Sequence, residues 1–218
     1  MVGISPSAIE LDSARVISIL ALGVVFWLVA IQLIRGYPEN TDNWSDQSSI
    51  ALMGLFVLLP SWLGIVQLKY MDDAGFALMA LIALVSISDI GAYFTGKTWG
   101  KSKLVPKLSP KKSWVGFWGG MISCVILSIV MLIVSNALLF SITFTQSILL
   151  VGGSVVVFAS GVVGDLFESM MKRNCQLKDS GNILPGHGGI LDRVDSLTAA
   201  TPNSVLLIII LFGNAWTR

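Results

Sequence analysis

An all-α, polytopic integral membrane protein with about six transmembrane helices is the fold this sequence predicts, and three observations carry that prediction. Of the 218 residues, 54% are hydrophobic and the mean hydropathy is +0.80, more apolar surface than a soluble domain can hide. The apolar residues run in continuous stretches near the ~20 residues a spanning helix needs, not in the short alternating segments of a barrel. Only 12% of the residues are charged, and those few are gathered in a small number of places. Lipid leaves helix or closed barrel as the spanning choices, and the pattern selects helix.

The expected spans are 16–34, 50–68, 74–94, 115–139, 148–171 and 204–215, the last short and extended by residues from Leu197 onward. Residues 35–49 carry Pro38 and Asn40 in a polar loop, and 69–73 form a short turn on the opposite side. The lysine-rich stretch 96–114 contains Gly96, Gly100, Pro106 and Pro110. It therefore cannot be one long helix and is expected to be short turns with extended pieces. Gly116, Gly119 and Gly120 open span four, and Gly152, Gly153, Gly161 and Gly164 punctuate span five. Small residues at such spacing let transmembrane backbones approach closely. The whole is one membrane domain, 1–218, with amino-terminal spans in 1–95, a lysine-rich loop at 96–114 and carboxy-terminal spans in 115–218.

Charge gives the orientation. Lys97, Lys101, Lys103, Lys107, Lys111 and Lys112 lie between spans three and four; Lys172, Arg173, Lys178 and Arg193 lie between spans five and six. Ten of the 14 cations thus fall in two loops on one side, which the positive-inside rule makes cytoplasmic. Both termini are then outside, against the pull of Lys69 and Arg218. Cys124 and Cys175 suggest two unpaired thiols. Acidic Glu10 and Asp12 stand where a signal peptide carries basic residues, so span one is expected to be retained. No nucleic-acid partner is expected.

The densest chemistry is the 27-residue run from Ser169 to Asp195, which holds Lys172, Arg173, Lys178, Asp179, His187, Asp192, Arg193 and Asp195. Asp89 and Asp165 lie inside spans three and five, toward the same face. A carboxylate within the bilayer is costly and marks either a buried ion pair or a functional site. Asp165, Ser169 and Lys172 share one helical face, as do Asp192 and Asp195 if span six begins there. Asp165, Asp192 and Asp195, with Asp89 nearby, offer only oxygen ligands, which suits magnesium rather than zinc. One ion or two would fit, and a monovalent cation could accompany them. Ser109, Lys111 and Lys112 in a constrained turn present a hydroxyl and ammonium groups, whereas Lys97, Lys101 and Lys103 read first as topogenic charges. The PGHGG turn at 185–189 lets backbone N–H groups of Gly188 and Gly189 approach an anion, but lacks the end of a Walker loop. His187 fits a phosphate donor, a proton shuttle or a satisfied turn residue equally well. Composition and spacing stop at a membrane enzyme handling phosphates with magnesium at the cytoplasmic face.

The run Ser169-x-Met171-Lys172-Arg173, Lys178-Asp179-Ser180-Gly181, then Leu184 through Asp195, resembles the signature of the CDP-diacylglycerol synthases, or phosphatidate cytidylyltransferases. Asp89 through Lys97, Leu108 through Trp114, Gly119-Gly120 and Gly164-Asp165-Leu166-x-Glu168-Ser169 resemble its bacterial members. Departures are Ser113 where Thr is expected, Val115 for Glu or Gln, Gln176 for Gly, Ser86 for a frequent Trp, and about two fewer amino-terminal spans.

The resemblance implies transfer of CMP from CTP to phosphatidate, in a homodimer in the bacterial inner membrane with the site facing the cytoplasm. It implies Asp165, Asp192 and Asp195 as magnesium ligands with Asp89 as a fourth. Asp165, Lys172, Lys178, Asp179, His187 and Arg193 become catalytic. Ser109, Lys111, Lys112, Ser169, Arg173, Gly188 and Gly189 become substrate contacts. Rival readings are another CTP-using lipid cytidylyltransferase, an isoprenoid kinase, a cation-coupled transporter and an inactive, shortened relative.

Overall fold

The computed structural model describes residues 13–71, 75–138, 142–183, 185–186 and 188–212. Within them are six helices, each long and apolar enough to cross a membrane: α1 Ser13–Gly36, α2 Gln47–Tyr70, α3 Phe76–Trp99, α4 Trp114–Leu138, α5 Phe144–Asn174 and α6 Leu191–Phe212. A polytopic all-α membrane fold is what the apolar runs predicted. Local chemistry sets several boundaries. The Asp46 side chain accepts from the Ser49 N–H at 3.0 Å and starts α2. Thr143 and Gln146 exchange hydrogen bonds in a capping box that starts α5.

The lysine-rich stretch forms a two-stranded antiparallel hairpin, β1 Lys103–Val105 with β2 Ser109–Ser113, the extended pieces expected there. Three connections share one face of the bundle: the α1–α2 loop, this hairpin, and the segment between α5 and α6. Two contacts tie them. Lys107 Nζ lies 2.6 Å from Glu39 Oε1, both well exposed, and that hydrogen bond holds the Glu39 carboxyl below its ordinary range. An exposed pair of this kind contributes little. The apolar contact matters more: Trp44 of the loop and Leu108 of the hairpin are buried together with Phe26, Trp27, Phe167 and Met170.

The largest departure from the sequence reading is α6. It begins at Leu191, 13 residues before the apolar run at 204, because its first turns carry Asp192, Arg193 and Asp195 and its middle carries Ser, Thr and Ala. That half is packed inside the bundle rather than against lipid. Pro202 sits within it and removes one N–H, which leaves the Thr198 carbonyl without its helical donor. The hydroxyl of buried Ser61 of α2 reaches the gap, 2.6 Å from Thr198 O, and shares its one hydrogen with Val57 O of its own helix at 2.5 Å. Ser61→Ala should therefore destabilise the bundle by about 1–3 kcal/mol. Thermal melting in detergent checks this; an unchanged midpoint would refute the role.

Gly164 brings α5 and α6 together. A Cβ there would collide with the carbonyl oxygen of Asp195 and stand 3.2 Å from Ala199 Cβ. Only a bare backbone lets the two helices meet at this level, and that meeting carries Asp195 to the side of Asp165.

Candidate active site

A cavity of about 610 Å³ opens on the face shared by the three connections, within the size range of small-molecule sites. Asp89, Tyr93 and Lys97 line it from α3, Lys103, Lys111 and Lys112 from the hairpin, and Asp165 from α5. On α5 the residues Phe158, Val162, Asp165, Ser169 and Lys172 follow at steps of four and three, so one stripe runs from apolar to charged.

Asp165 is the hub. Its Oδ2 is 2.5 Å from Lys112 Nζ, and its Oδ1 accepts from Ser169 Oγ at 3.4 Å. Asp89 lines the same cavity from α3, and Asp195 lies on α6 where it packs against Gly164, next to Asp165 in the chain. Asp195 Oδ1 also accepts the Ser196 N–H at 2.8 Å. The structure thus brings Asp89, Asp165 and Asp195 to one neighbourhood, with Lys112 as their counter-charge.

Asp192 is engaged differently. Its Oδ1 is 2.6 Å from Lys172 Nζ. Its Oδ2 accepts three hydrogen bonds of 2.8 Å each, from the Ser180 N–H, the Ser180 hydroxyl and the Gly189 N–H. The turn fits around that oxygen because Gly188 takes φ +84° and a Cβ there would lie 2.8 Å from it. Lys172 is likewise held, since its ammonium is also 2.5 Å from Glu168 Oε2. Lys172 and Asp192 therefore fasten the 180–189 segment to α5, and neither projects into the cavity as an open ligand.

Glu168 is the residue that sequence reasoning left out of the site. Both its carboxylate oxygens are buried, and Oε2 lies 2.5 Å from the Lys172 ammonium, its charge partner inside the bundle. Its spacing, three after Asp165 and four before Lys172, was the available signal.

The other expected residues fall around this core. Lys111 lines the cavity, whereas Ser109 sits on β2 opposite Val105. Arg173 donates to Leu177 O at 3.3 Å and is exposed, as are Lys178, Asp179 and Arg193. Gly188 and Gly189 shape the turn around Asp192. His187 lies outside the described residues. Among the described residues no three His, Cys, Asp or Glu side chains form a group able to hold a metal ion unaided. A set of carboxylate oxygens fits an ion that completes its shell from substrate phosphate and water, as magnesium does. Lys112 and Lys172 are paired with Asp165, Glu168 and Asp192, while Lys97, Lys103 and Lys111 also line the cavity.

Fold and site together define a polytopic membrane protein with an acid-and-lysine cavity at one face, suited to phosphate chemistry where water meets lipid. Comparison with known sequences agrees. The cytidylyltransferase family profile matches residues 4–211, and the chain belongs to that family. It is 42% identical over 185 residues to a phosphatidate cytidylyltransferase of Pseudomonas aeruginosa, covering 85% of this chain and 66% of that one. It is 40% identical over 205 residues to the phosphatidate cytidylyltransferase of Haemophilus influenzae, covering 88% and 70%. With that of Bacillus subtilis it shares 34% over 179 residues, 80% and 64% of the two chains. The chain spans about two thirds of the length of these relatives.

Proposed function

We propose that this protein transfers CMP from CTP to phosphatidate, forming CDP-diacylglycerol and releasing pyrophosphate. One observation supports the reading above others: a single cavity holds the carboxylates Asp89 and Asp165 beneath the lysines Lys103, Lys111 and Lys112, in a chain whose relatives carry that activity in their names. A phosphate monoester loses its second proton near neutral pH, with a pKa of about 6, so its oxygen attacks the α-phosphorus of CTP without a protein base. What the protein supplies is alignment of two polyanions and compensation of charge gathering on pyrophosphate. Lys111 and the exposed hairpin cations hold the triphosphate, and Lys112 fixes Asp165. Asp165 and Asp195, with Asp89 near, are the residues that would hold magnesium. When bound, that ion supplies charge neutralisation at the phosphate oxygens.

The same reading carries a homodimer in the bacterial inner membrane, its cavity toward the cytoplasm. Cys175 is exposed beside the site and Cys124 is buried, so a membrane-impermeant maleimide should label inside-out vesicles and spare right-side-out ones. The deciding experiment is purified protein with CTP, phosphatidate and magnesium, following pyrophosphate. Magnesium-dependent CDP-diacylglycerol is expected. Product formed only with an isoprenoid alcohol, or none at all, would overturn the proposal.

A further inference from the structure

Three lysines line the cavity without a carboxylate partner among the described residues: Lys97, Lys103 and Lys111. Lys103 and Lys111 belong to the hairpin, on the water side. Lys97 belongs to α3, and its setting differs. Its ammonium lies 5.5 Å from the centroid of the Tyr93 ring and 3.4 Å from the Tyr93 hydroxyl oxygen. That contact uses one of its three N–H donors and leaves the phenolic hydrogen free to donate elsewhere.

Position along the helix says what would come there. Asp89, Tyr93 and Lys97 follow at steps of four on one face of α3, and all three both line the cavity and are exposed. Tyr93 is 60% exposed although it lies on a membrane-spanning helix. The cavity is therefore open along the flank of α3. Exposed Phe94 and Trp99 on α3 and Trp114 and Trp118 on α4 lie at the same helix ends, the aromatic girdle that sits at headgroup depth. Lys97 is at that depth, with Asp89 roughly 12 Å deeper at 1.5 Å per residue. An unpaired cation and a free hydroxyl at the side opening, at headgroup level, match a phosphate monoester arriving within the lipid layer.

Resting on the function proposed above, we propose that Tyr93 and Lys97 receive the phosphate of the lipid substrate through this side opening, while the hairpin lysines receive the triphosphate from water. Both ligands offer phosphate oxygens, so the test separates them by substrate. The full chain is assayed in mixed micelles, varying phosphatidate at saturating CTP and then CTP at saturating phosphatidate. Lys97→Gln should raise the KM for phosphatidate roughly tenfold, the size of one lost charge-assisted hydrogen bond, and leave the KM for CTP within about twofold. Tyr93→Phe should give a smaller rise in the same parameter, and Lys97→Arg should restore it. Lys101, just beyond the end of α3, carries an equal charge but does not line the cavity, so Lys101→Gln should change neither. A shift in the CTP parameter, or no shift in an active Lys97→Gln or Tyr93→Phe enzyme, overturns this assignment alone. A wild-type protein that makes no CDP-diacylglycerol overturns the proposed reaction, and this assignment with it.

Discussion

Asp165→Asn is expected to lower turnover by a factor of about a thousand, the scale seen when one preorganised electrostatic group is removed from a reacting centre. The amide keeps the shape of the side chain and can still accept from Ser169. What it loses is the charge paired with Lys112 at 2.5 Å and the acid shared by Asp89 and Asp195. Stability should change little, because two effects oppose. Lys112 loses its partner, while repulsion from Asp165 on Asp89 and Asp195 disappears. Both Lys112 and Asp165 are about a quarter exposed, so water compensates part of the loss. Turnover at saturating CTP and phosphatidate, with a melting curve on the same sample, checks the two halves together. An enzyme within tenfold of wild type would remove Asp165 from the centre of the site.

The fold was legible because lipid makes a simple demand. Runs of about 20 apolar residues gave five spans within a few residues of α1 to α5; Gly100, Pro106 and Pro110 lie outside any helix, whereas α3 continues through Gly96 to Trp99, four residues into the expected loop. The sixth span was legible only in part. Hydropathy reads contact with lipid, and the first half of α6 contacts protein, with Ser, Thr and Asn side chains bonding back to carbonyls three or four residues earlier, as Thr198 does to Asp195 O at 2.6 Å.

The site was legible as a composition and less so as an arrangement. Spacing placed Asp165, Ser169 and Lys172 on one face correctly. It could not tell which partner each side chain chooses. Asp192 and Asp195 share a face by spacing, yet one binds the turn at 180–189 and the other lies beside Asp165. Lys97, Lys101 and Lys103 looked alike as topogenic charges, and only the fold distinguishes Lys97 on α3 and Lys103 on the hairpin, which reach the cavity, from Lys101 between them, which does not. Glu168 is visible in the sequence, but nothing in a linear chain marks its carboxylate as buried against Lys172.

Asp192→Ala is expected to be the most damaging substitution for structure as well as activity. The Asp192 side chain is 9% exposed and Lys172 is 18% exposed, so their pair is largely withdrawn from water. Removing one partner of such a pair costs about 3–5 kcal/mol, and here it also strands the Ser180 N–H, the Ser180 hydroxyl and the Gly189 N–H. Activity should vanish, the melting midpoint should fall, and the 176–189 segment should become open to protease. Asp192→Asn separates two ways of failing. A single amide oxygen can keep the bonds from Ser180 and Gly189, but its NH₂ then faces the Lys172 ammonium. If Asp192 acts by fastening the segment, Asp192→Asn and Lys172→Met should both loosen it to protease and lose activity together, with the magnesium concentration for half-maximal rate little changed in whatever activity remains. If Asp192 instead meets the ion directly, Asp192→Asn should leave the segment protease-resistant and shift the magnesium requirement alone. Four donors already on its two oxygens favour the first outcome.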